Sequence, residues 1–172
     1  MLIALYTYEI WNNNLRKLSE SAMKILLSTI SPRRAVSSGA AAELVQLYIG
    51  RCAKYVACTF RNFGSEAEML EYTHEAAART RPKLWLTDSL GQQLTSRDIA
   101  AAVGSLQDNG TQQLIFAVGP ADGWSPLARS RADRSVAFGR ITLPHELAAV
   151  VAAEQLYRAL TIRAGHPYHS GH

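Results

Sequence analysis

The 172 residues are enough to bury a sizeable core and read as one domain. With 48% hydrophobic and 19% charged residues the composition is that of a soluble globular protein, and no apolar run approaches membrane-spanning length, so no membrane partner is expected. The net charge of +4, from 18 basic and 14 acidic residues, suits a polyanion partner without requiring one.

The first 22 residues lack the basic start and small-residue cleavage site of a secretory signal. Met23-Lys-Ile-Leu-Leu reads as a natural start, so residues 1–22 are expected to be a non-native or dispensable extension and residues 23–172 a single domain. From Met23 onward, short apolar runs alternate with helical ones, which predicts an α/β fold with a mainly parallel sheet flanked by helices. Lys24–Ile30 is the first strand, ended by Ser31-Pro32, and Gly39–Ala53 the first helix. Tyr55–Phe60 is the second strand. Ser65-Glu-Ala-Glu68 has the form of a capping box and opens a helix to about Arg79. Leu84–Thr87 is the third strand, leaving by Asp88-Ser-Leu-Gly91. Thr95-Ser-Arg-Asp98 opens a helix that stops at Asn109-Gly110. Gln113–Val118 is the fourth strand, followed by a short helix near Pro126–Arg131 and a fifth strand over about Ser135–Phe138. Pro144 begins the last helix, which runs to about Ala164 and is stopped by Gly165 and Pro167. Cys52 and Cys58, six apart with no CxxC spacing, read as reduced core thiols of a cytoplasmic protein.

Ligands of open α/β sheets bind beyond the carboxyl ends of the strands. Three loops qualify: Thr87–Gly91, Gly119–Gly123 and Phe138–Leu143. In the middle one, Gly119 and Gly123 let backbone approach a ligand with no Cβ in the way. The pattern G-x-G-x-x-G is absent, against a dinucleotide cofactor, and no G-x-S-x-G elbow marks a serine hydrolase. His166, His169 and His172 lie on a tail without a supporting carboxylate or cysteine, so no metal is expected. Glu154 and Arg158 are spaced for an ion pair on one helix face. Leu147–Ala153 is apolar on every side, which predicts burial twice over, in its own domain and in a homodimer.

The segment LPHELAAVVAAEQLYRALTIRAGHPYH, together with FAVGPADG at Phe116–Gly123, resembles the signatures of the RlmH-like large-subunit (23S) rRNA pseudouridine N3-methyltransferases, a branch of the SPOUT class. The resemblance runs from about Met23 to Tyr168 and is strong after Lys83. It implies a C-terminal deep trefoil knot, in which the last segment threads a loop, and S-adenosylmethionine as methyl donor. It also implies a homodimer acting on ribosomal RNA in the context of the ribosome. Carried over by motif, cofactor contacts fall at Thr87, Gly119, Phe138, Gly139, Arg140, Ile141, Thr142 and Leu143, and substrate-side groups at Arg158, Tyr168 and His169. Three positions depart from the pattern: Pro120 replaces a second glycine, Ala149 an arginine, and the tail after His169 is Ser170-Gly171-His172 rather than basic. The last two would remove cations near the RNA side. Two other readings stay open: a non-catalytic ribosome- or RNA-binding relative, and a methyltransferase with another substrate.

Overall fold

The computed structural model describes residues 23–31, 39–76 and 81–169, the side chain of His169 excepted. The elements are β1 (Lys24–Ile30), α1 (Ala40–Cys52), β2 (Cys58–Phe63), α2 (Glu66–Glu75), β3 (Lys83–Gln93) and α3 (Ser96–Asp108), then β4 (Gln113–Val118), α4 (Pro126–Arg131), β5 (Arg134–Ala137) and α5 (His145–Arg163). A single 3-10 turn, Pro167–His169, follows. The strands form one sheet in the order β2-β1-β4-β3-β5, and every pairing is parallel. Parallel strands covered on both faces must be apolar almost throughout, as Ile25–Leu27 and Leu114–Val118 are. Alternation then sorts the side chains. Ile25, Leu27, Trp85 and Phe116 face α1, α3 and α5, while Leu26, Leu84, Leu86 and Ile115 face α2 and α4. Cys52 and Cys58 are free, buried thiols of the first core.

Local departures from expectation have local causes. β2 begins three residues late because the N–H groups of Tyr55 and Val56 both bond back to the Cys52 carbonyl, at 2.9 and 3.1 Å, closing α1 with a turn. At α2, Ser65 Oγ accepts from Glu68 N–H, but the Glu68 carboxylate takes the N–H of Gly64 at 2.8 Å, one residue earlier than a capping box requires. The expected end of that helix at Arg79 lies outside the described residues. The box at Thr95 and Asp98 is complete. The cap of α5 is Pro144 itself, one residue later than expected.

Two features shape the carboxyl edge of the sheet. β3 continues past Thr87 through an irregularity, and its register with β5 resumes at Gln92. Inside that irregularity lies Gly91, where a Cβ would come within 2.7 Å of the Ser135 and Val136 backbone, so only glycine permits the approach. α5 settles onto the sheet through Ala149, Ala152, Ala153 and Ala159, all fully buried. Its opposite side carries Leu147, 50% exposed, with Val150 and Val151 half-buried. Ala149 therefore does not mark a cation missing from an RNA-facing surface: a side chain at this position points into the core.

Candidate active site

The irregular stretch of β3 from Thr87 to Gly91 and the loops after β4 and β5 come together around a cavity of about 330 Å³. It is lined by residues 87–89, 119–124, 136, 138–139 and 141–143, with Arg129 and Ala148. The wall from Val136, Phe138, Leu143 and Ala148 is apolar, and Ile141 stands 67% exposed at the rim.

The glycine loop is held on four sides. Gly123, at φ +86°, donates its N–H to the Pro120 carbonyl at 3.0 Å. The buried Trp124 indole N–H donates to the Thr87 carbonyl at 2.7 Å, tying this loop to the end of β3. Beyond it, Ser125 caps α4, and its N–H and hydroxyl both donate to the Glu66 carboxylate on α2. His145, the first residue of α5, donates from Nδ1 to the Gly119 carbonyl at 2.7 Å, the only protonation of that nitrogen compatible with a carbonyl partner. Its Nε2 is buried with no partner among the described residues.

Glycine at 119 answers to Trp124 rather than to open space. A Cβ there would lie 2.8 Å from the indole Cε2 and Nε1. This corrects the expectation that the missing side chain at 119 clears the way for a ligand.

One charged pair borders the cavity. Arg129 Nε bonds Asp88 at 2.7 Å, and the Asp88 side chain is only 7% exposed. Burial alone would push its carboxyl up, but the Arg129 hydrogen bond, the Leu90 N–H and the Arg129 charge together outweigh burial and hold it below the usual carboxylate range.

Further along α5 lies a separate polar cluster. Glu154 accepts from Arg158 Nε and Nη2 at 2.9 and 2.6 Å, and from the Tyr168 hydroxyl at 3.1 Å. The Arg158 guanidinium lies over the Tyr168 ring, 4.8 Å from its centroid. Burial first, then the contact with Tyr48 and the Glu154 charge, push the Tyr168 phenol up, so it is neutral at physiological pH. At 1.5 Å per residue, Arg158 sits about 15 Å along the helix axis from Ala148 on the cavity wall. One chain does not bring this cluster to its own cavity.

The family described as "Predicted SPOUT methyltransferase" matches residues 23–169. The chain belongs to the SPOUT methyltransferases. It is 46% identical over 125 residues to the "Ribosomal RNA large subunit methyltransferase H" of Koribacter versatilis, an alignment spanning 73% of this chain and 85% of that protein. The protein of the same name from Brucella ovis is also 46% identical, over 60% of this chain and 66% of its own. Among solved structures, a "Probable Methyltransferase" from Bordetella pertussis shares the fold, with a TM-score of 0.53 at 17% identity, covering 83% of this chain and 99% of that one.

For this SPOUT chain, the motif placed Thr87, Gly119, Phe138, Gly139, Ile141, Thr142 and Leu143 on what proves to be the cavity lining, while Arg140 in the same run is exposed and off the lining. Of the substrate-side group, Arg158 and Tyr168 meet each other, and the side chain of His169 lies outside the description. Sequence reasoning missed Asp88, Trp124 and Arg129. Asp88 sat inside a named loop, but Arg129 is 41 residues away and no local spacing pairs them. Among the described residues no group of three or more His, Cys, Asp or Glu is placed to hold a metal, and no helix is long and apolar enough to cross a membrane.

Proposed function

We propose that this protein transfers a methyl group from S-adenosylmethionine to N3 of a pseudouridine in large-subunit ribosomal RNA, as a homodimer working on the ribosome in the cytoplasm. The observation that carries the reading is the convergence of three loops on one cavity, at the carboxyl edge of the sheet, in a SPOUT methyltransferase chain. The names of the relatives supply the RNA class.

The lining suits the donor. Val136, Phe138, Leu143 and Ala148 offer an apolar wall to a flat base, and Asp88, held ionised, offers an acceptor to ribose hydroxyls. The donor would be held at Thr87, at Gly119 and along the run Phe138, Gly139, Arg140, Ile141, Thr142, Leu143. S-adenosylmethionine supplies an electrophilic methyl group, so the protein's task is to align the acceptor and to favour loss of the N3 proton. We read the segment beyond β5 as threaded through a loop in a trefoil knot.

The acceptor side comes from a second copy. The apolar stripe of Leu147, Val150 and Val151 lies between the cavity and the Arg158 cluster, with Leu147 exposed and the two valines half-buried within the chain. A second α5 crossing there in the opposite sense carries Arg158, Tyr168 and His169 of one copy to the cavity of the other. Arg158 then holds a phosphate or the anionic imide. Tyr168, a neutral phenol, orients the base together with His169 and does not take its proton.

Mass spectrometry of large-subunit RNA from a deletion strain tests the reading. The N3-methyl mark should vanish and return with the gene, and a mark that persists refutes it. Calorimetry with S-adenosylmethionine separates an enzyme from a non-catalytic RNA-binding relative, which would take up no donor.

A further inference from the structure

Where α1 packs against α5, aromatic rings and cations alternate. Tyr157 on α5 stands at the centre. Its ring lies 6.0 Å from Tyr48 on α1, 6.2 Å from Tyr55 just beyond α1, and 4.7 Å from Tyr168. The Arg51 guanidinium sits over two of these rings, 5.3 Å from the Tyr48 centroid and 5.7 Å from that of Tyr157. All four tyrosines and Arg51 are half-buried, and Lys54 beside them is exposed. The carboxylate of this region, Glu154, is engaged by Arg158, Tyr168 and Gln155. Among the described residues neither Arg51 nor Lys54 has a carboxylate within ion-pair distance.

Packing alone does not call for this arrangement. Two helices can close over a sheet with aliphatic side chains, as α3 and α5 do through Val103 and Leu156. A guanidinium held against ring faces, with no acid to neutralise it, keeps its N–H edge for an anion. Tyrosine rings left partly open offer flat faces on which unpaired bases stack, and neighbouring cations meet the phosphates between those bases.

We propose that Tyr48, Arg51, Lys54, Tyr55 and Tyr157 form a stacking platform for single-stranded RNA, receiving nucleotides that flank the modified base. This rests on the methyltransferase reading above and adds to it the strandedness of the substrate. A single-stranded segment is favoured over a protein partner because the surface pairs uncompensated positive charge with partly exposed tyrosine rings.

The test is fluorescence anisotropy of the full chain with a labelled single-stranded RNA octamer, beside a duplex of the same sequence. The octamer should bind more tightly than the duplex, since stacking needs unpaired bases. Arg51→Ala should weaken octamer binding by about tenfold, with Arg51→Lys between it and the wild type. Lys54→Ala, at an exposed position that leaves folding intact, should lower the salt dependence by about 0.7 in log–log slope. Calorimetry with S-adenosylmethionine should give wild-type affinity for all three variants. Octamer binding within twofold of wild type in both Arg51→Ala and Lys54→Ala overturns the platform, and so does a preference for the duplex. Variants that shift the sedimentation coefficient instead mark a contact between copies of the chain and overturn the RNA reading. A wild type that binds the octamer but no S-adenosylmethionine supports the platform and refutes the proposed activity.

Discussion

Gly119→Ala is the sharpest probe of how the cavity is built. The new Cβ would sit 2.8 Å from Cε2 and Nε1 of Trp124, whereas a comfortable carbon contact needs about 3.5 Å or more. The indole is rigid and buried, so it must move by about 0.7 Å as a unit. Its hydrogen bond to the Thr87 carbonyl, 2.7 Å in the native protein, then stretches to about 3.4 Å, beyond useful length. Overpacking of this kind costs about 1–3 kcal/mol and the lost hydrogen bond about 1 kcal/mol. For a chain of this size the sum corresponds to a fall in Tm of about 5–12 °C. Differential scanning calorimetry reads that fall directly. Because the moved indole releases Thr87 from the glycine loop, donor affinity should fall with it. Gly119→Ala combined with Trp124→Phe, which makes room for the methyl group, should recover part of the stability. If Gly119→Ala leaves Tm within about 2 °C but abolishes donor binding, the methyl group points into the cavity and the packing argument is wrong.

Arg158→Ala, and truncation after Pro167, should abolish methylation while leaving donor affinity in calorimetry near wild type, with Arg158→Lys keeping partial activity because the charge stays and the planar fork goes; loss of donor binding in either variant would move the cofactor site. Val151→Glu should turn a sedimenting dimer into monomer or aggregate, since an unpaired charge buried in an interface costs several kcal/mol, and a wild type that sediments as a monomer at micromolar concentration would remove the dimer. Acid stability has a stated direction. The folded pKa values of Asp88 and Asp133 are depressed, for Asp133 because burial, which alone raises it, is outweighed by the Leu84 N–H, Lys83 and Arg81. Both therefore contribute stability that is full above an unfolded carboxyl pKa of about 4 and is lost as pH falls through the lower folded values. Urea unfolding against pH should show this loss below about pH 4, with a smaller slope in Asp88→Asn. Deleting residues 1–22 should change neither donor binding nor methylation, and a loss of either would show that the segment works.

Strand and helix positions were legible because each depends on its own neighbours. The apolar runs at Lys24–Ile30 and Gln113–Val118 and the cap at Thr95 and Asp98 fold as read, since alternation, period and capping are local physics. The motif likewise put Thr87–Gly91, Gly119–Gly123 and Phe138–Leu143 at one ligand site, and all three contribute to one cavity, although the first proves to be an irregular stretch inside β3 and not a loop after it. What the sequence by itself did not determine is direction. It could not tell that the absent side chain of Gly119 makes room for an indole five residues on, or that position 149 faces the core. Nor could it pair Asp88 with Arg129 across 41 residues, or Glu66 with Ser125 across 59, because those contacts exist only once β3 and α4, or α2 and α4, are packed against the sheet. The distance between the cavity and Arg158 was also invisible. About five helical turns of α5 read as one continuous signature, yet a rigid rod of that length separates its two ends, and only the folded chain says which end meets the three loops.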